Sequence, residues 1–237
     1  MRPPVSPRIF ACKTLPLAYV SLPKSGCTTI KNIMHALDDG AFLDDPLTIH
    51  ERKDLLVQLS DSPDDRTRRS GSDVVFTFVR HPLKRAYSGF NEKLFHETKY
   101  SMPMYRRRFI RRYQAELPKD PTLEQHRADF KRFLAMIRDA HDIWQVRNAH
   151  WAPQAQLLKS AASSWRVPNV IARIEEFDRM MPVVLGLVGA SFRVEDVPRM
   201  NEGPPAPHRY EDIVDDEILS TAEHLFAEDL RQFGYSL

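Results

Sequence analysis

Leu17-Ala18-Tyr19-Val20-Ser21-Leu22-Pro23-Lys24-Ser25-Gly26-Cys27-Thr28-Thr29-Ile30 is the stretch on which the fold turns. Its first six residues form a short apolar run of the kind that makes a buried strand. From Ile30 onward, Ile33, Met34 and Leu37 follow at helical spacing. The loop between them, Pro23 to Thr29, closes a strand and opens a helix. At such a junction backbone N–H groups and the helix dipole can hold an anion. Gly26 permits close approach and unusual backbone angles. Thr28 and Thr29 add hydroxyl donors, and Lys24 adds a mobile positive charge. The loop is not a Walker A sequence, in which Gly-Lys-Ser/Thr follows an earlier glycine and four residues. Here the lysine precedes the only glycine.

Outward from this stretch, strands and helices alternate. Val74 to Val79 is nearly all apolar, as suits a parallel strand covered on both faces. Pro82 then fits the first turn of a helix whose apolar face is Leu83, Ala86, Tyr87, Phe90 and Leu94. Val170 to Ile174 reads as a third strand. Helical spacing predicts helices near 51–59, 104–114, 123–140, 177–188 and 213–230. This alternation predicts an α/β protein with a P-loop-like, three-layer arrangement: a central parallel sheet flanked by helices. No boundary splits the chain, so 1–237 is expected to be one domain, with proline-rich 1–16 as an irregular lead-in.

A second phosphate site is expected at Val79-Arg80-His81-Pro82-Leu83-Lys84-Arg85-Ala86-Tyr87-Ser88. Arg80 ends a strand and Ser88 lies two turns into the next helix; a guanidinium fork with a hydroxyl suits a phosphate monoester. Arg80 also stands where a Walker B strand would offer Asp to Mg²⁺, so no metal is expected.

The first loop resembles the 5′-phosphosulfate loop of sulfotransferases that use 3′-phosphoadenosine-5′-phosphosulfate (PAPS). The second segment resembles their 3′-phosphate site. The likeness is to the Golgi carbohydrate sulfotransferases of the chondroitin, dermatan and HNK-1 group, sulfotransferase family 2. Those enzymes share Gly-Cys-Thr in the first loop and an aromatic and a lysine after the second site, here Phe90 and Lys93. Asn148-Ala149-His150-Trp151-Ala152-Pro153-Gln154, Ile174-Glu175 and Glu228-Asp229-Leu230-Arg231-Gln232-Phe233-Gly234-Tyr235 match as well. The resemblance implies an O-sulfotransferase with PAPS as donor, 3′-phosphoadenosine-5′-phosphate (PAP) as product, and a glycan or small hydroxyl compound as acceptor. It implies nucleotide contacts from Lys24, Ser25, Gly26, Cys27, Thr28, Thr29, Arg80 and Ser88.

Lys24 is then the group to neutralise charge on the bridging oxygen. A general base must take the hydroxyl proton, and histidine is the usual choice. Of nine histidines, His50 lies between the two phosphate loops, where the resembled group also carries one. His150 is the alternative, or a packing residue beside Trp151. His81 adjoins Arg80 but is discounted, since relatives carry acids there. The competing readings are a P-loop kinase of a small molecule and a nucleotide-binding protein without catalysis. Lysine before glycine, and the missing Walker B acid, count against the kinase.

Composition narrows the class further. Charged residues reach 28%, yet the net charge is only +2, which does not mark a nucleic-acid binder. Arg66, Arg68 and Arg69 cluster, as do Arg106, Arg107, Arg108, Arg111 and Arg112. The second cluster is a solvated helix face or a dock for an anionic acceptor. Trp144, Trp151 and Trp165 suit core packing, with stacking on sugars as the alternative. Two cysteines, Cys12 and Cys27, make neither a disulfide framework nor a metal quartet. No apolar run reaches the roughly 18 residues that span a bilayer. These features predict a soluble, cytoplasmic relative that lacks the Golgi enzymes' anchor.

Overall fold

The computed structural model describes residues 5–59, 73–140, 147–164, 167–191, 197 and 205–237. In chain order these form strands β1 (Arg8–Ala11) and β2 (Leu17–Ser21), helix α1 (Cys27–Asp39), a 3-10 turn (Pro46–His50), and strands β3 (Val57–Leu59) and β4 (Val74–Val79). Helix α2 (Pro82–Phe90) runs into a π-helical turn (Asn91–Phe95), followed by α3 (Pro103–Tyr113), α4 (Leu123–Asp139) and α5 (Gln154–Ser164). Strand β5 (Val170–Arg173), α6 (Phe177–Gly186), α7 (Tyr210–Ile213), α8 (Asp216–Leu225) and α9 (Ala227–Phe233) complete the order. The chain divides into two compact units, Met1–Arg80 with Gln156–Glu202 and His81–Ala155 with Gly203–Leu237.

The first unit holds the sheet, in the order β3-β1-β2-β4-β5. Strands β2, β4 and β5 are parallel, as the apolar runs predict. Two antiparallel strands extend this parallel core: β1 pairs with β2, Phe10 opposite Tyr19, and β3 pairs with β1, Leu59 opposite Ile9. Tyr19, Phe76 and Phe78 form one packed cluster with Ile30, Ile33 and Met34 of α1 and Val184 and Leu185 of α6. Thr77, mid-strand and fully buried, donates its hydroxyl to the Val20 carbonyl at 2.8 Å and so satisfies its one polar group.

Two expectations change here. Residues 1–16 are not an irregular lead-in throughout, because Ile9, Phe10 and Ala11 are buried between two strand neighbours. A four-residue strand among prolines carries too little alternation to stand out. The helix expected over 51–59 is absent. Leu55 and Leu56 are buried from a turn and Leu59 from β3, so a helix-like spacing of leucines arises from two different structures.

The second unit is helical and aromatic. Phe90, Phe109, Phe130, Phe133 and Trp151 share one buried cluster. Trp151 meets Tyr105 and Phe133 edge-on, with centroids 5.3 and 5.7 Å apart. The single helix expected over 213–230 is three. Asp215 starts α8 by accepting from the Ile218 N–H at 3.0 Å, a side-chain cap that breaks the run. Arg66, Arg68, Arg69, Trp144 and Trp165 lie outside the described residues.

Candidate functional site

In the first unit, β2 delivers the chain to the loop and α1 carries it away. Lys24 and Gly26 both take left-handed backbone angles, with φ of 70° and 74°. The Gly26 position also leaves no room: a Cβ there would sit 2.6 Å from Ile174 Cδ1. Glycine takes this angle without strain, and a side chain there would have to displace the tip of Ile174. Ser25 is fully buried and Thr28 nearly so, while Cys27 and Thr29 are half-buried. The Gly26 carbonyl accepts from the Ile30 N–H at 3.1 Å as α1 begins. The N-cap Gly26 makes no side-chain hydrogen bond at this helix start, the end of a helix whose dipole favours an anion.

Arg80, at the end of β4, donates from Nη1 to the Lys24 carbonyl at 3.2 Å. A guanidinium on this carbonyl braces the loop at its strained residue. Arg80 thus reaches the loop of residues 23–29 itself. Ser88 is a half-buried residue of α2 in the second unit.

His50 is exposed at the end of the 3-10 turn and reaches α1 with both ring nitrogens. Its Nε2 lies 2.8 Å from Thr28 Oγ1 and its Nδ1 lies 2.8 Å from Lys31 Nζ. Asn32 fastens the turn to the helix, with Nδ2 donating at 2.9 Å to both the Thr28 and Pro46 carbonyls. Asp45 caps the turn at the Leu47 N–H. An ammonium can only donate. With Lys31 charged, Nδ1 must accept, the ring proton sits on Nε2, and His50 donates to Thr28. With Lys31 neutral the chain reverses: Nδ1–H donates to the amine and Nε2 presents its lone pair. Burial is the chief reason that the Lys31 pKa falls below its usual value; Cys27 opposes that shift and Arg8 adds to it. The leucine-rich helix expected after His50 is replaced by turns and β3.

Beside His50 opens a cavity of about 340 Å³. Arg8, Lys31, His50, Arg52 and Lys53 line it, over apolar surface that includes Phe10. The Lys31 ammonium stands 4.8 Å from the Phe10 ring centroid. Sequence reasoning missed this wall. Arg8 lay in the supposed lead-in, and Lys31, which is 4% exposed, was not singled out.

In the second unit, His150 is held by Asn148. Asn148 Oδ1 accepts from the His150 backbone N–H at 3.0 Å and lies 2.6 Å from Nδ1. The backbone contact fixes that atom as oxygen, so Nδ1 carries the proton and, in the neutral ring, Nε2 holds the lone pair. Arg85, buried in α2, grips the same segment by donating to the Ala149 and Ala152 carbonyls at 2.5 and 2.8 Å. The Gln154 and Ala155 N–H groups donate to buried Asp229 at 2.8 and 2.7 Å. Two of the matched segments are therefore one structure: Asp229 caps the helix that Gln154 begins.

His81 is an N-cap, its Nδ1 facing the Lys84 N–H at 3.4 Å and its Nε2 donating to the Ser236 carbonyl at 2.9 Å. Lys93 is buried and donates to Glu92 and to the Tyr100 carbonyl. Of α3 only Phe109 is buried; Arg107, Arg111 and Arg112 are exposed, while Arg106 and Arg108 are half-buried, Arg106 pairing with Glu97 at 3.0 Å. Trp151 is fully buried and has no face for a sugar.

The model of the sulfotransferase family matches residues 7–236. The chain belongs to this family. Among curated relatives of the chain, carbohydrate sulfotransferase 14 of Danio rerio is 28% identical over 92% of the chain and 59% of the relative. Carbohydrate sulfotransferase 9 of Homo sapiens is 22% identical over 77% of the chain and 41% of the relative. Human carbohydrate sulfotransferase 14 is 28% identical over 66% of the chain and 41% of the relative. The chain thus spans about half the length of the relatives it matches. No solved structure matches it significantly.

The cytoplasmic placement is corrected by these relatives. It weighed a missing anchor and scarce cysteines against the likeness to Golgi enzymes, and the relatives found are carbohydrate sulfotransferases, members of that membrane-bound Golgi group. A stretch that covers 59% or less of those proteins carries no information on an anchor outside it. Within the described residues, no helix is long and apolar enough to cross a membrane.

Proposed function

We propose that this sulfotransferase moves a sulfuryl group from PAPS to a hydroxyl of a carbohydrate. The observation that carries the reading is the loop of residues 23–29: a helix start with a left-handed glycine as N-cap, and a cation, braced by Arg80, in a chain of this family. The names of the relatives support a sugar acceptor. The family match runs through both units, which supports one catalytic domain over 1–237.

The loop fits an anion of the 5′-phosphosulfate kind, since it ends at the start of α1, where the helix dipole favours negative charge, and carries the Thr28 and Thr29 hydroxyls close to Lys24 in the chain. Bound PAPS supplies an activated sulfuryl group, whose S–O bond to phosphate is exchanged for one to the acceptor. Lys24 neutralises the negative charge that builds on the bridging oxygen as that bond breaks. Arg80 and Ser88 hold the 3′-phosphate, the pattern that separates PAPS from ATP. His50 takes the hydroxyl proton on Nε2, which requires neutral Lys31 at Nδ1 and a Thr28 hydroxyl turned toward the nucleotide. Burial, which lowers the Lys31 pKa from its usual value, works toward that state. No residue in this scheme calls for a metal.

Nucleotide binding tests the scheme. PAP should raise the melting temperature far more than ATP, and Arg80→Ala should weaken PAP by about 1.5–3 kcal/mol, the scale of a charged hydrogen bond. Equal stabilisation by ATP and PAP would remove the 3′ site. Unchanged PAP affinity in a folded Arg80→Ala protein would reduce Arg80 to a brace for Lys24.

A further inference from the structure

We infer that Gly234, Tyr235 and Ser236 position the donor's 3′-phosphate: through His81 they hold the first turn of α2 in the setting from which Ser88 meets that phosphate. The inference rests on the sulfotransferase reading and adds to it a role for a matched segment that Asp229 accounts for only in part. His81, α2 and residues 234–236 all belong to the second unit.

Helix α9 ends on Gly234, whose φ of 64° turns the chain out of the helix. The Gly234 and Tyr235 N–H groups both donate to the Leu230 carbonyl, the second at 3.0 Å, which closes the turn. Phe233 just before it is buried, but Gly234 and Ser236 are exposed and Tyr235 is half-buried. Core packing therefore explains Phe233 and leaves the next three residues without a reason. They run against His81. The Tyr235 ring meets the His81 ring edge-on, with centroids 5.5 Å apart at 69°, and the Ser236 carbonyl accepts from Nε2 at 2.9 Å. Tyr210 adds a second edge-on contact to His81 at 6.4 Å, and its own ring centroid lies 5.3 Å from the Lys84 ammonium.

His81 gives one ring nitrogen to each task, Nδ1 to the Lys84 N–H that opens α2 and Nε2 to Ser236. A proton on Nε2 leaves the lone pair on Nδ1, so the helix cap and the Ser236 contact call for the same neutral tautomer. Farther along, α2 is gripped by another segment. Arg85 holds the Ala149 and Ala152 carbonyls, and a Cβ at Gly89 would sit 3.0 Å from the His150 carbonyl oxygen. Ser88 lies within that gripped stretch, about 10 Å along the axis from His81. A nine-residue helix moves as a rod, so freeing its first turn lets it tilt about the grip. Arg80 is bonded directly to His81 and would follow. None of these contacts involves residues 23–29, so hold on the nucleotide's 5′ end should not depend on them.

The test titrates PAP and adenosine 5′-monophosphate (AMP), which lacks the 3′-phosphate, into the wild type, Tyr235→Ala, Tyr235→Phe, His81→Ala and the double variant, read by calorimetry. Tyr235 belongs to neither buried cluster, so the fold should survive its loss. Tyr235→Ala should weaken PAP by about three- to tenfold, the range of one edge-on ring contact, and leave AMP unchanged. Tyr235→Phe, which keeps the ring, should bind PAP as the wild type does. In the His81→Ala background Tyr235→Ala should weaken PAP no further, because the two act as one unit. Hydrogen exchange in nucleotide-free Tyr235→Ala should quicken at the Lys84 and Arg85 amides and stay as it was at Phe130 and Phe133 in α4. Equal losses for PAP and AMP, or losses that add in the double variant, would overturn the inference by reducing the segment to a structural support. A preference for PAP over AMP that survives Tyr235→Ala would overturn it while leaving the sulfotransferase reading standing. A wild type that binds PAP no more tightly than AMP would remove the 3′-phosphate site itself, and the inference with it.

Discussion

His50 and His150 carry the same ring and are held in opposite states. His50 has a cation against Nδ1, which with Lys31 charged puts its proton on Nε2. His150 has an amide oxygen against Nδ1, which leaves the lone pair on Nε2. Location favours His50, since it touches Thr28, next to the loop proposed to hold the donor; tautomer favours His150. Proximity to the reacting group and readiness to accept a proton are separate properties, set by separate neighbours. A lysine one helical turn after Thr28, held against Nδ1, can thus switch a base off until it loses its own proton.

The largest expected effect breaks this comparison directly. His50→Ala should lower kcat/KM by about 10²–10⁴, the span of general-base catalysis, with PAP affinity unchanged. His150→Ala should stay within a few fold. The wild-type rate should rise with pH as Lys31 approaches its lowered pKa, since loss of that proton allows Nδ1 to donate and frees Nε2. Steady-state kinetics of the three proteins against pH would check this. The reverse ranking would move the base to His150, and a flat profile would remove Lys31 from the account.

Next in size is Trp151, the neighbour of His150. Trp151→Ala should cost about 3–5 kcal/mol of stability, the usual range for a large buried aromatic, read by denaturant unfolding. A loss under 1 kcal/mol would mean that the tryptophan does not anchor the second unit's core, and His150's fixed setting would need another cause.

A third histidine extends the comparison to full burial. His126 has Nε2 3.2 Å from Tyr87 Oη, which itself donates to the His208 carbonyl, so Nε2 carries the proton. Its pKa is pushed down to about 4, first by burial and then by the charge of His208. The unfolded chain therefore binds this proton from about pH 6.5 downward and the folded chain only near 4. Stability is full above 6.5 and falls by about 3 kcal/mol as pH drops to 4, at 1.36 kcal/mol per pKa unit. Unfolding curves at several pH values should show that slope, and His126→Phe should flatten it. A slope unchanged in the variant would assign it to other groups, of which His96, also lowered by burial, is the first candidate.

What was legible in the sequence follows the strength of local pattern. β2 and β4 are continuous apolar runs buried on both faces, so their burial is written in composition alone. The loop was legible because Lys-Ser-Gly-Cys-Thr-Thr sits between a strand and a helix, and the order of Lys and Gly excluded Walker A. β1 and β3 were not, because three or four residues hold no period and their burial depends on partners distant in sequence. The His50 site had the same limit. Its histidine was found by interval, but Lys31, Arg8 and Asn32 matter only through folding, since nothing in their spacing sets them against a turn 14 to 42 residues away. Asp229 shows the converse: a matched segment whose residue caps the helix at Gln154, so that likeness in sequence there marks architecture rather than chemistry.

The most direct test of the account is to follow both halves of the transfer at once. The protein is incubated with PAPS and a panel of hydroxyl-bearing glycans, and PAP and sulfated sugar are quantified by mass spectrometry, with Lys24→Ala alongside. The account predicts PAP and sulfated product in equal amounts, with turnover reduced by about 10²–10³ in Lys24→Ala, the scale for losing one group that stabilises developing negative charge, and PAP affinity much less affected. Equal turnover by the two proteins, or no transfer to any hydroxyl while PAP binds normally, would contradict it.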